Sequence, residues 1–175
     1  MKKILVVVDY QKDFVSGSLG FEKAISLETR IRHKIKQYKQ NGDEVVFTFD
    51  THNDNYLQTQ EGKNLPILHC VRNTEGWNLY GKVAELCDKT SKRFEKITFG
   101  SLELATYLTN NEYDCVELIG VVSNICVISN AIIAKAALPE AKIIVDASCT
   151  ASNDESLNQK ALDVMQGMQI EIINR

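Results

Sequence analysis

The sequence has no excess of basic residues: 20 Lys and Arg stand against 23 Asp and Glu, a formal net charge of -3. A balanced surface of this kind argues against nucleic acid as a partner, because nothing in it would neutralise a phosphate backbone. No apolar run reaches membrane-spanning length, so no membrane partner is expected. The opening run, residues 4–8, stops at Asp9 with no small-residue cleavage site behind it, and reads as a first strand rather than a signal peptide. The 5 cysteines (Cys70, Cys87, Cys115, Cys126, Cys149) are odd in number and form no CxxC pair, which speaks against a disulfide framework and against a zinc ribbon. That usage fits a reducing cytoplasm. The loop at residues 15–20 has two glycines but not the GxGxxG spacing, and a dinucleotide site is rejected. With no internal repeat, low-complexity tract or linker, residues 1–175 are expected to form one domain large enough to bury its own core.

What is present alternates. Residues 4–8, 44–49, 114–120, 141–146 and 170–173 have the composition of buried strands, and 93–96 of a shorter extended piece. Between them, residues 27–40 (ended by Asn41-Gly42), 81–88, 101–110 (capped by Ser101) and 153–168 read as helices. A further helix opens around Cys126, with Ser123 or Asn124 as its cap. Such an order predicts an α/β fold: three layers, α/β/α, with a mostly parallel central sheet flanked by helices. Residues 50–80 are polar and without period, and a segment of that length in a compact domain is usually functional.

Three residues carry chemical interest. Cys126 follows a buried strand and a polar turn, where a helix dipole and free amides favour thiolate and offer donors to an oxyanion. Asp9 leaves the first strand at its carboxyl end, where it can take a thiol proton and return it to a leaving amine. Lys96 can hold Asp9 ionised and lower the thiol pKa further. Taken singly, Cys126 could be core packing, Asp9 a loop cap and Lys96 a solvated charge. His33 reads as solvated, and the other four cysteines as core or loop thiols.

In order and spacing, Asp9-x-Gln11-x-Asp13-Phe14, Phe49-Asp50-Thr51-His52, Pro66-x-x-His69-Cys70, Asn73-Thr74-Glu75-Gly76, the Lys96 segment and Gly120–Cys126 resemble the isochorismatase-like cysteine hydrolases, and within them the nicotinamidases. The resemblance covers nearly the whole chain. It implies a triad of Asp9, Lys96 and Cys126, an oxyanion hole from the Val122 and Cys126 amides, and a cis peptide between Val121 and Val122. It also implies hydrolysis of a small amide to acid and ammonia through a cysteine thioester. Other amidases and isochorismatases of the superfamily are alternatives within the fold, and a metal or redox-sensing module is one outside it. Homo-oligomers remain open.

Asp50-Thr51-His52 puts a carboxylate and an imidazole on one side of a strand end, where both can reach one ion. In the family such a pair is joined by a later histidine, here His69, and by one more ligand. That place falls to Glu61 first and Asp54 second, since only 3 histidines occur in the chain. A mixed N/O set suits zinc in the first place, with manganese or iron as alternatives. Phe14, from the motif, and Trp77, for which simple packing is the other reading, are candidates for the wall of a flat ring pocket.

Overall fold

Strand β1 (Lys3–Val8) is apolar at every position from Ile4 onward because both its faces are covered. Leu5 and Val7 point to one side and Ile4, Val6 and Val8 to the other, as the two-residue repeat of a strand requires. A computed structural model describes residues 1–175. Five further strands, β2 (Glu44–Asp50), β3 (Lys92–Lys96), β4 (Cys115–Val121), β5 (Lys142–Ala151) and β6 (Glu171–Ile173), complete a sheet in the order β3-β2-β1-β4-β5-β6. Every neighbouring pair is parallel. Helices α1 (Lys12–Val15), α2 (Glu22–Ser26) and α3 (Glu28–Gln40) cover the Leu5 face together with a 3-10 turn at Gly81–Leu86. After α4 (Gln60–Asn64), which lies beyond the strand ends, α5 (Leu102–Asn111), α6 (Ile128–Ala137) and α7 (Glu155–Gly167) cover the Ile4 face. The expected three-layer arrangement is what the chain forms. No helix is long and apolar enough to cross a membrane.

The topology places the site. The chain winds outward from β1 through β2 to β3, then returns to β4 beside β1 and winds the other way. Connections leaving β1 and β4 therefore diverge, and the crevice at their carboxyl ends is where open sheets of this kind bind ligands. Gly120 lies at this junction with φ 110°, and a Cβ there would run into the Val8 carbonyl, so only glycine lets β4 pass so close to the end of β1.

Two features depart from the sequence reading. Residues 12–15 and 22–26, to which the sequence assigned no element, form α1 and α2, each too short to show a helical repeat. Strand β5 runs five residues past Asp146 because pairing resumes after a bulge, with Leu118 opposite Val145 and Gly120 opposite Thr150. The bulge leaves Asp146 facing α3, where Lys34 Nζ lies 2.9 Å from it and 2.8 Å from Glu117 on β4. Tyr38 donates a hydrogen bond to Glu117 at 2.6 Å.

Burial alone would raise Asp146, but hydrogen bonds from Lys34 and Ser148 hold it below the ordinary carboxylate value. A depressed carboxylate adds stability that is present at neutral pH and lost only as pH falls through its folded pKa, below about 3.8. Replacing Lys34 by Ala strands two buried carboxylates, and we expect a loss of about 3 kcal/mol at pH 7. The loss should shrink by pH 4.5, where the stranded carboxyls take up protons. Urea denaturation of both proteins at the two pH values measures this, and an equal loss at both would contradict it.

Candidate active site

Each strand from β1 to β4 delivers one polar side chain to the crevice. Asp9 follows β1, Asp50 ends β2, Lys96 ends β3 and Cys126 follows β4. All four are at least 95% buried. The Lys96 ammonium lies 2.6 Å from Asp9 Oδ2, 3.4 Å from Asp50 Oδ1 and 3.8 Å from Cys126 Sγ, and donates to the Thr98 carbonyl at 3.0 Å. Thr48 donates to Asp9 Oδ1 at 2.6 Å and fixes the rotation of the carboxylate. Residues 9, 96 and 126 thus meet within bonding reach.

Cys126 sits within a π-helical turn, Ser123–Val127, that leads into α6. The expected cap is not made: neither Ser123 nor Asn124 accepts a capping bond, and the Ser123 hydroxyl is buried without a protein partner. The turn is held instead by Asn130, one turn on, which donates to the Cys126 and Phe99 carbonyls and accepts from the Ser101 amide. The Val121–Val122 peptide is cis, as the resemblance implies. The Val122 amide donates to no carbonyl of the protein.

Burial dominates the electrostatics of the site. Burial pushes the Cys126 thiol well above its ordinary value; Lys96 opposes this, while Asp9, Asp50 and a hydrogen bond to Asp9 reinforce it. Burial among apolar side chains penalises an extra anion here, and the Lys96 ammonium opposes that penalty. Burial also raises Asp9, with Asp50 adding to the rise and Lys96 opposing it. Lys96 lies above the ordinary lysine value, since Asp9, Cys126 and Asp50 together outweigh its desolvation. Burial thus raises the proton affinity of both the thiol and Asp9.

Residues 50–80 fold over the crevice mouth and bring a second cluster to it. One donor atom each from Asp50, His52, Glu61 and His69 lies within 4.8 Å of all the others. Asp50 Oδ2 is 3.0 Å from His52 Nε2 and 3.5 Å from His69 Nε2, and Glu61 Oε1 is 3.6 and 3.7 Å from the same nitrogens. Ligands about 2.1 Å from a shared ion are separated by about 3–3.5 Å, so these edges suit a divalent cation. His69 Nδ1 lies 2.8 Å from the Ile67 carbonyl, which can only accept, so the lone pair sits on Nε2 and faces the cluster. Three carboxylates, Asp9, Asp50 and Glu61, face a single ammonium here, a charge imbalance that a divalent ion would cancel. Glu61 stands on α4, whose cap Thr59 accepts from Gly62. Asp54, the second choice, lies outside the cluster and is exposed.

A cavity of about 210 Å³ separates the cluster from the thiol. Asp50, Glu61, His69, Val122 and Cys126 line it, with Phe14, Leu19, Phe21, Leu65, Phe99 and Ile125 as apolar walls. Phe14, a candidate for the pocket wall, lines this cavity. Trp77, the other candidate, does not: it packs on Phe49, donates to Thr51 Oγ1 at 2.8 Å and lines a separate surface groove, because β2 lies between it and the thiol. The sequence reading missed Phe99 and Tyr56. Phe99 stood in the Lys96 segment already singled out; Tyr56, whose ring lies 4.5 Å from His52 and 4.9 Å from His69, carried no local signal.

The isochorismatase domain family matches residues 3–175, and the chain belongs to that family. An uncharacterized isochorismatase family protein of Bacillus subtilis (strain 168), PncA, is 32% identical over 143 residues, 75% of this chain and 78% of its own. The nicotinamidase of Saccharomyces cerevisiae (strain ATCC 204508 / S288c) is 24% identical across 99% of this chain and 100% of its own. The crystal structure of a pyrazinamidase/nicotinamidase from Streptococcus mutans UA159 superposes with a TM-score of 0.89 at 30% identity, over 98% of this chain and 100% of that one.

If the four donors act together, replacing His69 by Ala should weaken zinc binding by a factor of roughly 100 or more, whereas Asp54→Ala should leave it unchanged. Competition against a chromophoric chelator gives both affinities. A loss on removing Asp54 equal to that on removing His69 would move the site.

Proposed function

We propose that the protein is a metal-assisted cysteine amidohydrolase that converts nicotinamide, or a close heteroaromatic amide, to the acid and ammonia, with residues 1–175 acting as one domain. The observation that carries this is a small, largely apolar cavity lined both by the Cys126 thiol, which Lys96 links to Asp9, and by the candidate donors Asp50, Glu61 and His69. Such a space fits one flat ring bearing an amide. The nicotinamidase names of relatives spanning nearly all of the chain support the substrate class.

Cys126 Sγ attacks the amide carbon as its proton passes to Asp9, so that a C–S bond forms and the carbonyl electron pair moves to oxygen. The Val122 and Cys126 amides stabilise that oxyanion. Collapse breaks the C–N bond, with Asp9 returning the proton to the departing nitrogen as ammonia leaves. Asp9 then deprotonates a water that opens the thioester, releasing the carboxylic acid and restoring the thiol. Lys96 keeps Asp9 and Cys126 aligned throughout and balances the charge each step creates. Asp50, His52, Glu61 and His69 would hold the metal, for which two imidazoles and two carboxylates favour zinc. When bound, the ion supplies a Lewis acid for a ring nitrogen, and Phe14 and Phe99 confine the ring in the plane that presents its amide to the thiol.

Ammonia release from nicotinamide tests the reading. Cys126→Ala and Asp9→Asn should each cut turnover by a factor of roughly 1,000 or more. Undiminished turnover by Cys126→Ala would end the nucleophile assignment. Hydrolysis of another amide but not nicotinamide would overturn the substrate and spare the mechanism.

A further inference from the structure

Two polar side chains in the segment that carries Asp9 take no part in the chemistry above, yet each is bonded to a segment bearing candidate metal donors. We propose that Gln11 and Asp13 are positioning residues that set Asp50, His52 and His69 in register with the proton-carrying Asp9. This rests on reading the four-donor cluster as a metal site.

Gln11 completes the sheet where the backbone stops doing so. Strand β1 pairs with β2 as far as Val8 opposite Thr48, and the Asp9 amide then donates to the Thr48 carbonyl at 3.3 Å. Asp50, two residues further along β2, would face nothing on that side. The chain has left the sheet at Asp9, whose φ is 45°, and the Gln11 amide folds back onto the Asp9 carbonyl at 2.7 Å. The Gln11 side chain supplies the missing rung: Oε1 accepts from the Asp50 amide at 2.8 Å and Nε2 donates to the Asp50 carbonyl at 2.9 Å. Its second proton goes to the Trp77 carbonyl at 2.9 Å. A carboxamide is the side chain with a donor and an acceptor in the geometry of a peptide group. Glutamate would set an acceptor against two carbonyls, and methionine would fill the space and make none of the three bonds. Gln11 is wholly buried, so water cannot replace them. Held at this rung, Asp50 presents one oxygen to Lys96 and the other to the histidines.

Asp13 does the same for the opposite wall. Its Oδ2 accepts at 2.8 Å from the amide of Cys70, the residue after His69, and Cys70 has a left-handed φ of 45°. The Cys70 carbonyl in turn accepts from the His52 amide at 3.0 Å, so one carboxylate restrains the backbone of both histidines. The fit is close: the Asp13 amide donates to the Gly76 carbonyl at 3.0 Å, and a Cβ on Gly76 would run into the carboxylate. Gln11 and Asp13 are two residues apart, and Asp9 precedes them, so a single short segment spaces the base and three donors.

Zinc affinity, measured by competition with a chromophoric chelator, tests this alongside thermal melts of the metal-free proteins. Gln11→Met and Asp13→Ala should each weaken zinc by roughly 10–100-fold, the usual effect of removing a group that orients a ligand. Asp13→Asn, whose carbonyl oxygen still accepts from Cys70, should bind within about threefold of wild type. Were both residues mere structural supports, Gln11→Met and Asp13→Ala would lower the melting temperature and leave zinc affinity within about threefold of wild type, which overturns the proposal. So would Asp13→Asn as weak as Asp13→Ala. If Gln11→Met does not fold, the two Asp13 variants decide. A wild-type protein that binds neither zinc, manganese nor iron would remove the metal site itself, and this inference with it.

Discussion

One ammonium group, that of Lys96, organises the polar end of this protein. It is 98% buried by side chain, and no lone charge survives such burial without partners. Its partners come from three other strand ends: Asp9 from β1, Asp50 from β2 and Cys126 after β4. Because the sheet is parallel and twisted, those ends converge at the crevice where the winding reverses, and a side chain from β3 can reach across β2 to Asp9. Remove the ammonium and two carboxylates face each other in a dry cavity. The Asp9–Cys126 side and the four-donor cluster share this charge, since Asp50 turns one oxygen to the ammonium and the other to the histidines.

The same burial raises the proton affinity of the thiol. An apolar cavity raises the cost of every unpaired anion beside it, and the ammonium opposes that cost. In the mechanism proposed, Asp9, itself raised by burial, accepts the thiol proton and gives it back. Charge then moves between groups already in place, with no need to create it at rest.

Much of the architecture was legible in the residues. Unbroken runs such as Ile4–Val8 can only be strands covered on both faces, and their alternation with helices implies a parallel sheet. Asp9 and Cys126 could be picked out because each follows such a run; Lys96, on a short and mostly polar strand, stood out only through the resemblance. The short helices α1 and α2 were not legible, being too brief for a 3.6-residue repeat to show, nor was the bulge in β5, whose residues 147–151 lack an apolar pattern. Glu61 ranked above Asp54 only through resemblance, since neither has a neighbour in sequence that fixes its direction. Trp77 was misplaced because an aromatic residue near a functional loop says nothing about which side of β2 it will pack on.

By itself, then, the sequence determined the layers, the parallel sheet and the residue types at its carboxyl edge, because these follow from local apolar periodicity and from where each run breaks. Only the tertiary structure decided how deeply Cys126 is buried, how closely the four donors approach one another, which side chains wall the cavity and what Gln11 and Asp13 bond to. Those depend on burial and on distances between residues 30 to 120 positions apart, as between Gln11 and Asp50 or Asp9 and Cys126. Such distances come into being when the strand ends are brought together, and no stretch of chain encodes them alone.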